Sequence, residues 1–201
     1  MSFLKLFLAF IAGAITTIAL GVGALVIASY VMRNGDPASH FKPPVFPSAD
    51  ADFNWTLLDL AGQEVPFESF RGKTIFLTVW KPSCVVCKHE MHLVQDLFDK
   101  VASDNIVFAT VAVDNEPDKI IDLVQDEGYT LPIYTYKGDR PSMYETGNVP
   151  STFIISPAGK LVMRFKGPAA WNDDSCVQYL RGLAAGGETP TPEEERPQDP
   201  S

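Results

Sequence analysis

The chain has 201 residues, 46% of them hydrophobic, and a formal net charge of −9. An acidic balance of this kind, 16 basic against 25 acidic side chains, argues against nucleic acid as a partner, because nucleic-acid binders carry a basic patch. No internal repeat divides the chain, and its middle part has the usual size of one domain.

From Leu6 to Met32 there is no charged residue. At ~1.5 Å per helical residue, this run exceeds the ~30 Å hydrocarbon core of a bilayer. A secretory signal has a shorter apolar core, about 7–15 residues, and then a small-residue cleavage site. "VIASYVM" at the far end offers no such site, and no cysteine follows for lipid attachment. Residues 1–33 are therefore expected to form a retained single-span membrane anchor, with a cleaved signal as the alternative. Ala9, Gly13, Thr17 and Gly21 recur at four-residue spacing, a pattern that lets membrane helices approach closely but is also common in spans generally. Lys5 flanks one side and Arg33 and Lys42 the other, so the positive-inside rule does not assign the orientation. Residues 34–50, "NGDPASHFKPPVFPSAD", are rich in proline and suit a semi-extended spacer.

Residues 51–185 are expected to form the folded domain. Phe53–Leu58 and Glu64–Phe67 flank "DLAGQ" and predict a short hairpin. "KTIFLTVW", Lys73 to Trp80, is nearly all apolar or β-branched, as in a strand buried on both faces. Pro82 and Ser83 interrupt it, with Ser83 placed to cap a following helix. In that helix Cys87, Met91, Val94, Phe98 and Val101 recur at spacings of four and three and mark its inward face. "NIVFATVAV", from Asn105, predicts a second buried strand. Glu116 to Gly128 predicts a second helix, with Pro117 in its first turn and Gly128 at its end. Strand, helix and strand at this spacing make a βαβ unit. After a loop, "STFIIS" and "KLVMRFKG" predict a hairpin, and a last helix follows near Trp171–Ala184. The tail, residues 186–201, carries five acids against Arg196 and almost no apolar side chain, a composition expected to be disordered.

"WKPSCVVCKHEMH" sets two cysteines and two histidines in nine positions, Cys84 to His92. Haem attachment needs histidine directly after the second cysteine, and Lys88 stands there. A structural zinc site needs two ligand pairs, but only Cys176 and His40 remain elsewhere. On a regular helix His89 and His92 lie about 160° and 140° round from Cys87, which turns them towards water. Copper held by the two thiols alone stays open as a metallochaperone reading. A thiol switch suits the position best. A cysteine at a helix N-terminus faces unpaired N–H groups and the positive end of the dipole, which favour thiolate and lower its pKa below the free value near 8.5. Its thiolate attacks a disulfide to form a mixed disulfide, and a second thiol one turn on resolves it. Cys84 is then the attacker and Cys87 the resolver.

Residues from Ala51 to about Ala184 resemble the membrane-anchored, thioredoxin-like disulfide reductases of the TlpA/ResA/CcmG type. The resemblance rests on "DFNWTLLDLAGQEVPFESFRGK", "TIFLTVWKPSCVVCKHE" and "GNVPSTFIISPAGKLVMRFKG" in that order. It implies an α/β thioredoxin-like fold: a central mixed sheet flanked by helices, with an N-terminal β-hairpin extension, after one transmembrane helix. It implies a cis bond at Val149–Pro150 that offers a backbone edge to an incoming extended peptide, a role for Glu90 in setting thiol ionisation, and Trp80 as an aromatic beside the cysteines. It implies no cofactor, protein disulfides as substrates (apocytochrome c is a frequent one), a membrane thiol-reductant transporter as electron donor, and a domain on the periplasmic side of the inner membrane. A non-catalytic thioredoxin-fold accessory module is a third reading. Departures are visible. Thr78 stands where thioredoxin has a buried aspartate, Ser83 replaces the usual tryptophan, and Val85–Val86 lack the usual proline or histidine. "VWKPSC" does not supply the Pro-x-x-x-Thr-x-x-Cys loop of peroxiredoxins. Cys176 is expected to be a buried, inert thiol.

Overall fold

The computed structural model describes residues 49–103, 105–113 and 117–186. The expected anchor, most of the spacer and all but the first residue of the acidic tail lie outside the described residues. Among the described residues no helix is long and apolar enough to cross a membrane.

Among the described residues, eight strands and three α-helices follow in chain order. They are β1 (Ala49–Asp50), β2 (Thr56–Asp59), β3 (Glu64–Pro66), β4 (Thr74–Trp80), α1 (Val85–Val101), β5 (Ile106–Ala112), α2 (Pro117–Glu127), β6 (Ile133–Lys137), β7 (Ser151–Ile155), β8 (Lys160–Lys166) and α3 (Asp174–Ala184). They build one mixed sheet in the order β1-β8-β7-β4-β5-β6-β2-β3. β4 is central, parallel to β5 and antiparallel to β7. All seven of its residues are buried, as expected of a strand covered on both faces. Its side chains alternate. Phe76 and Trp80 enter one hydrophobic cluster with Cys87, Met91 and Val94 of α1, Ile120 of α2 and Leu180 of α3. Ile75, Leu77 and Val79 enter the other, with Phe53, Trp55, Phe67, Tyr144 and Phe153. The sheet thus separates a layer to which all three helices contribute from an aromatic layer built by loops and two short 3-10 turns, Phe67–Phe70 and Ser142–Tyr144.

The strand–helix–strand core is where the sequence predicts it, and the thioredoxin-like α/β fold holds. Four local expectations change. The segment read as a loop after α2 contains β6, which pairs with β5 on one side and β2 on the other. The predicted hairpin β2–β3 therefore joins the main sheet as its edge. Ala49 and Asp50, assigned by composition to the spacer, pair with Leu161 and Lys160 of β8. Helix α3 begins at Asp174, capped by the Asp173 carboxylate, which accepts the Ser175 N–H, so Trp171 precedes the helix instead of starting it. On α1 the inward stripe carries Leu97 and Glu90 as fully buried members, while Phe98 is half-buried and packs edge-on against Phe108 at 5.2 Å.

Candidate active site

β4 ends at Trp80, and the chain then turns through Lys81, Pro82 and Ser83 into α1. The expected cap, Ser83, is exposed. The N-cap is Cys84 itself, whose backbone is extended (φ −90°, ψ 112°). Its sulfur accepts the backbone N–H of Cys87 at 3.1 Å, and its carbonyl accepts the N–H of Lys88 at 3.0 Å. The sulfur thus replaces the serine oxygen as acceptor for an orphan N–H of the first turn. The same amide, with the positive end of the helix, stabilises charge on that sulfur.

Cys84 and Cys87 form a disulfide, with Cα atoms 5.2 Å apart. Cys84 is half-buried and Cys87 fully buried. One sulfur of the pair is therefore within reach of a partner, and the other lies one turn deeper. Val85 and Val86, between them, are 80% and 49% exposed. The Val149–Pro150 bond is cis, as the resemblance implies. Ser151 pairs with Val79 across β4 and β7, so Pro150 stands level with Trp80 at the end of β4 that leads to Cys84. Trp80 is fully buried in the helix-side layer.

Glu90 differs most from a surface carboxylate. It is 1% exposed and lies three residues after Cys87, on the neighbouring turn of the same inward face. The Trp171 indole N–H donates to Glu90 Oε1 at 2.9 Å. Oε2 is buried with no hydrogen-bond partner among the described residues. Burial raises the carboxyl from its ordinary 4.5 to about 7, against smaller downward pulls from the Trp171 indole and the Ala169 backbone amide. A carboxyl of this kind exchanges a proton near neutrality. Local periodicity could not find Trp171, which reaches Glu90 from 81 residues away.

The remaining candidates lie apart from the pair. His89 is exposed. His92 is exposed too, with Nε2 3.4 Å from Glu127 Oε2, so it bridges α1 and α2. Among the described residues no cluster of three or more His, Cys, Asp or Glu side chains could hold a metal ion. Cys176 is fully buried, and burial pushes its thiol up to about 12.

The AhpC/TSA family model matches residues 47–164. Among curated proteins, the chain is 26% identical over 115 residues to a thiol-disulfide oxidoreductase ResA of Bacillus anthracis, covering 57% of this chain and 66% of that one. It is 25% identical over 150 residues to the ResA of Bacillus subtilis, covering 74% and 81%. The chain thus spans just under two thirds of the first of these relatives. Among solved structures, a thiol:disulfide interchange protein of the thioredoxin family from Chlorobium tepidum superposes with a TM-score of 0.54 at 18% identity, covering 72% of this chain and 99% of that one. At that identity the likeness is one of fold.

Proposed function

The chain belongs to the AhpC/TSA family, and from that premise we propose that it is a thiol:disulfide oxidoreductase that reduces protein disulfides through a Cys84–Cys87 cycle. The observation that carries this reading is the sulfur of Cys84 at the cap of α1, held by the Cys87 amide, with a second, buried sulfur one turn on. The dithiol enters the cycle with Cys84 as thiolate, its proton already lost to water. That thiolate attacks one sulfur of a substrate disulfide. A mixed disulfide forms, and the other substrate sulfur leaves as thiolate. Cys87 then gives its proton to Glu90, and its own thiolate attacks Cys84 Sγ. The internal disulfide forms, and the second substrate sulfur leaves. Two electrons have passed to the substrate, and the two released sulfurs take up one proton from Glu90 and one from water. The Val149–Pro150 edge lies beside this site by strand register and suits an extended substrate segment. Peroxide reduction of the peroxiredoxin kind fits less well, since Leu77 and Lys81 occupy the Pro and Thr places of that loop.

The finer reading is a periplasmic domain tethered to the inner membrane by residues 1–33 and acting on apocytochrome c during cytochrome c maturation, with electrons from a membrane thiol transporter. It is supported by the uncharged run at Leu6–Met32 and the proline-rich spacer after it, and by the name ResA among the relatives. Tethering would raise the local concentration of donor and substrate.

The test is insulin-disulfide reduction by the full chain, together with the equilibrium potential of the pair. A potential near about −270 mV marks a reductase and one near about −120 mV an oxidant. Loss of turnover in Cys84→Ser is expected. Retained turnover in that variant would overturn the assignment. Carbonate extraction of membranes, with and without residues 1–33, tests the anchor.

A further inference from the structure

We propose that Trp171 is a positioning residue for the resolving step: its indole N–H occupies Oε1 of Glu90, so that Oε2 is the oxygen left to take the Cys87 proton. The inference rests on the dithiol cycle above and adds to it a residue from outside α1.

Three observations carry it. The first is the 2.9 Å hydrogen bond from Trp171 Nε1 to Glu90 Oε1. An indole donates and cannot accept, so Oε1 is held as an acceptor whatever the charge on Glu90, and the acid proton is directed to Oε2. The second is that Oε2 is buried with no partner among the described residues. A buried carboxylate oxygen left unpaired is costly, and binding a proton removes its charge. The third is placement. Helical side chains lean towards the helix N-terminus, which tilts Glu90 back over the turn that carries Cys87. Both residues are fully buried, so bulk water does not serve this proton directly.

Trp171 is itself fixed. It is fully buried and packs edge-on against Phe76 at 5.2 Å and Phe165 at 5.5 Å. The indole therefore arrives on a rigid ring and not on a mobile loop side chain. Burial, the indole and the Ala169 amide set the acidity of Glu90, with no charged side chain among the causes. The other titratable groups buried in this layer are Cys87 on α1, Tyr129 between α2 and β6, and Cys176 on α3, with Cys84 and Tyr179 half-buried against it. The arrangement is thus nearly free of other charges, and loss of the indole N–H should register directly in the titration.

The experiment follows the full chain by NMR through a pH titration in the oxidised state. In the wild type, the Trp171 indole N–H resonance should titrate with an inflection near 7 that disappears in Glu90→Gln. The indoles of Trp55 and Trp80, which have no hydrogen-bond partner among the described residues, should stay flat there and serve as controls. In Trp171→Phe the Glu90 carboxyl should titrate about one pH unit higher, since a hydrogen bond to the charged form is lost. Single-turnover release of thionitrobenzoate from a mixed disulfide on Cys84 should show the same upward move in its pH profile, and Trp171→Phe should have no such effect in a Glu90→Gln background. A wild-type indole that does not titrate with Glu90, or a Trp171→Phe profile that does not move, overturns the proposal. If Trp171→Phe fails to fold, the comparison of wild type with Glu90→Gln decides by itself. Failure of the underlying cycle is read separately, as absence of insulin reduction by the wild type.

Discussion

Thr152 Oγ1 donates to Thr78 Oγ1 across the central strand pair, at 3.0 Å and with both residues buried. Thr78 lies six residues before Cys84, on the helix-side face of β4, where thioredoxin places an ionisable aspartate. Here the site holds a neutral hydroxyl pair, and the proposed cycle gives proton traffic beneath the cysteines to Glu90 instead. Thr78→Val removes one partner and strands the other in the core, which should cost about 1–3 kcal/mol. The double change Thr78→Val/Thr152→Val should recover most of that loss. Urea unfolding of the four proteins measures the coupling, and equal costs with and without the partner would show that the pair contributes nothing.

The two sulfurs should separate in a chemical trap. In the reduced chain, iodoacetamide should label Cys84, with a pH midpoint below the ~8.5 of a free thiol, and leave the buried Cys87 and Cys176 unlabelled. Cys87→Ser should accumulate a mixed disulfide with a protein substrate, and Cys84→Ser should not. Mass spectrometry of the labelled peptides reads both outcomes, and preferential labelling of Cys87 would reverse the assigned roles.

Glu90 links stability to pH with a definite sign. The folded protein binds its proton more tightly, at about 7 against an ordinary 4.5. Between these values the native state holds more protons than the unfolded one, so its stability falls as pH rises. The contribution is fully present below 4.5 and is lost by about 7, a difference of up to about 3 kcal/mol. Unfolding of the oxidised protein at pH 4.5, 6 and 8, compared with Glu90→Gln, isolates it. The variant should gain on the wild type as pH rises, and parallel curves would mean that the carboxyl is not shifted.

Cys176 should behave as an inert core group. Its thiol is buried and pushed up to about 12, so Ellman's reagent should find it only in denaturant. Cys176→Ala should retain insulin reduction and lose about 1 kcal/mol of stability for the small cavity. Rapid modification in the folded state would contradict the burial.

The redox pair was legible in the sequence because its signals are local. A run of seven buried residues, a proline-interrupted turn and a four–three apolar stripe fix β4, α1 and the junction between them. Signals that depend on distant partners were not. β6 reads Ile-Tyr-Thr-Tyr-Lys between Pro132 and Gly138; its β-branched and aromatic content was a usable cue, but only pairing with β5 and β2 makes it a strand. Ser83 has the better capping side chain by type, yet the turn places Cys84 at the cap. By its spacing from Cys87, Glu90 stands at the border of the buried face, and periodicity gives an angle and not a depth. Trp171 arrives over it from the approach to α3 and closes that border to water.

The ends of the sheet have a consequence for the solubility of the domain. Among the described residues its outermost strands are β1, two residues long, and β3, three residues long and ending on Pro66. Unpaired ladder groups at an open margin are what recruit a second chain, and proline at such a margin withholds a donor. The longer β6 is shielded from that role by β2 and β3 lying outside it. In the proposed cycle the domain meets an extended polypeptide at one sulfur, while its flanks offer little template for runaway strand stacking.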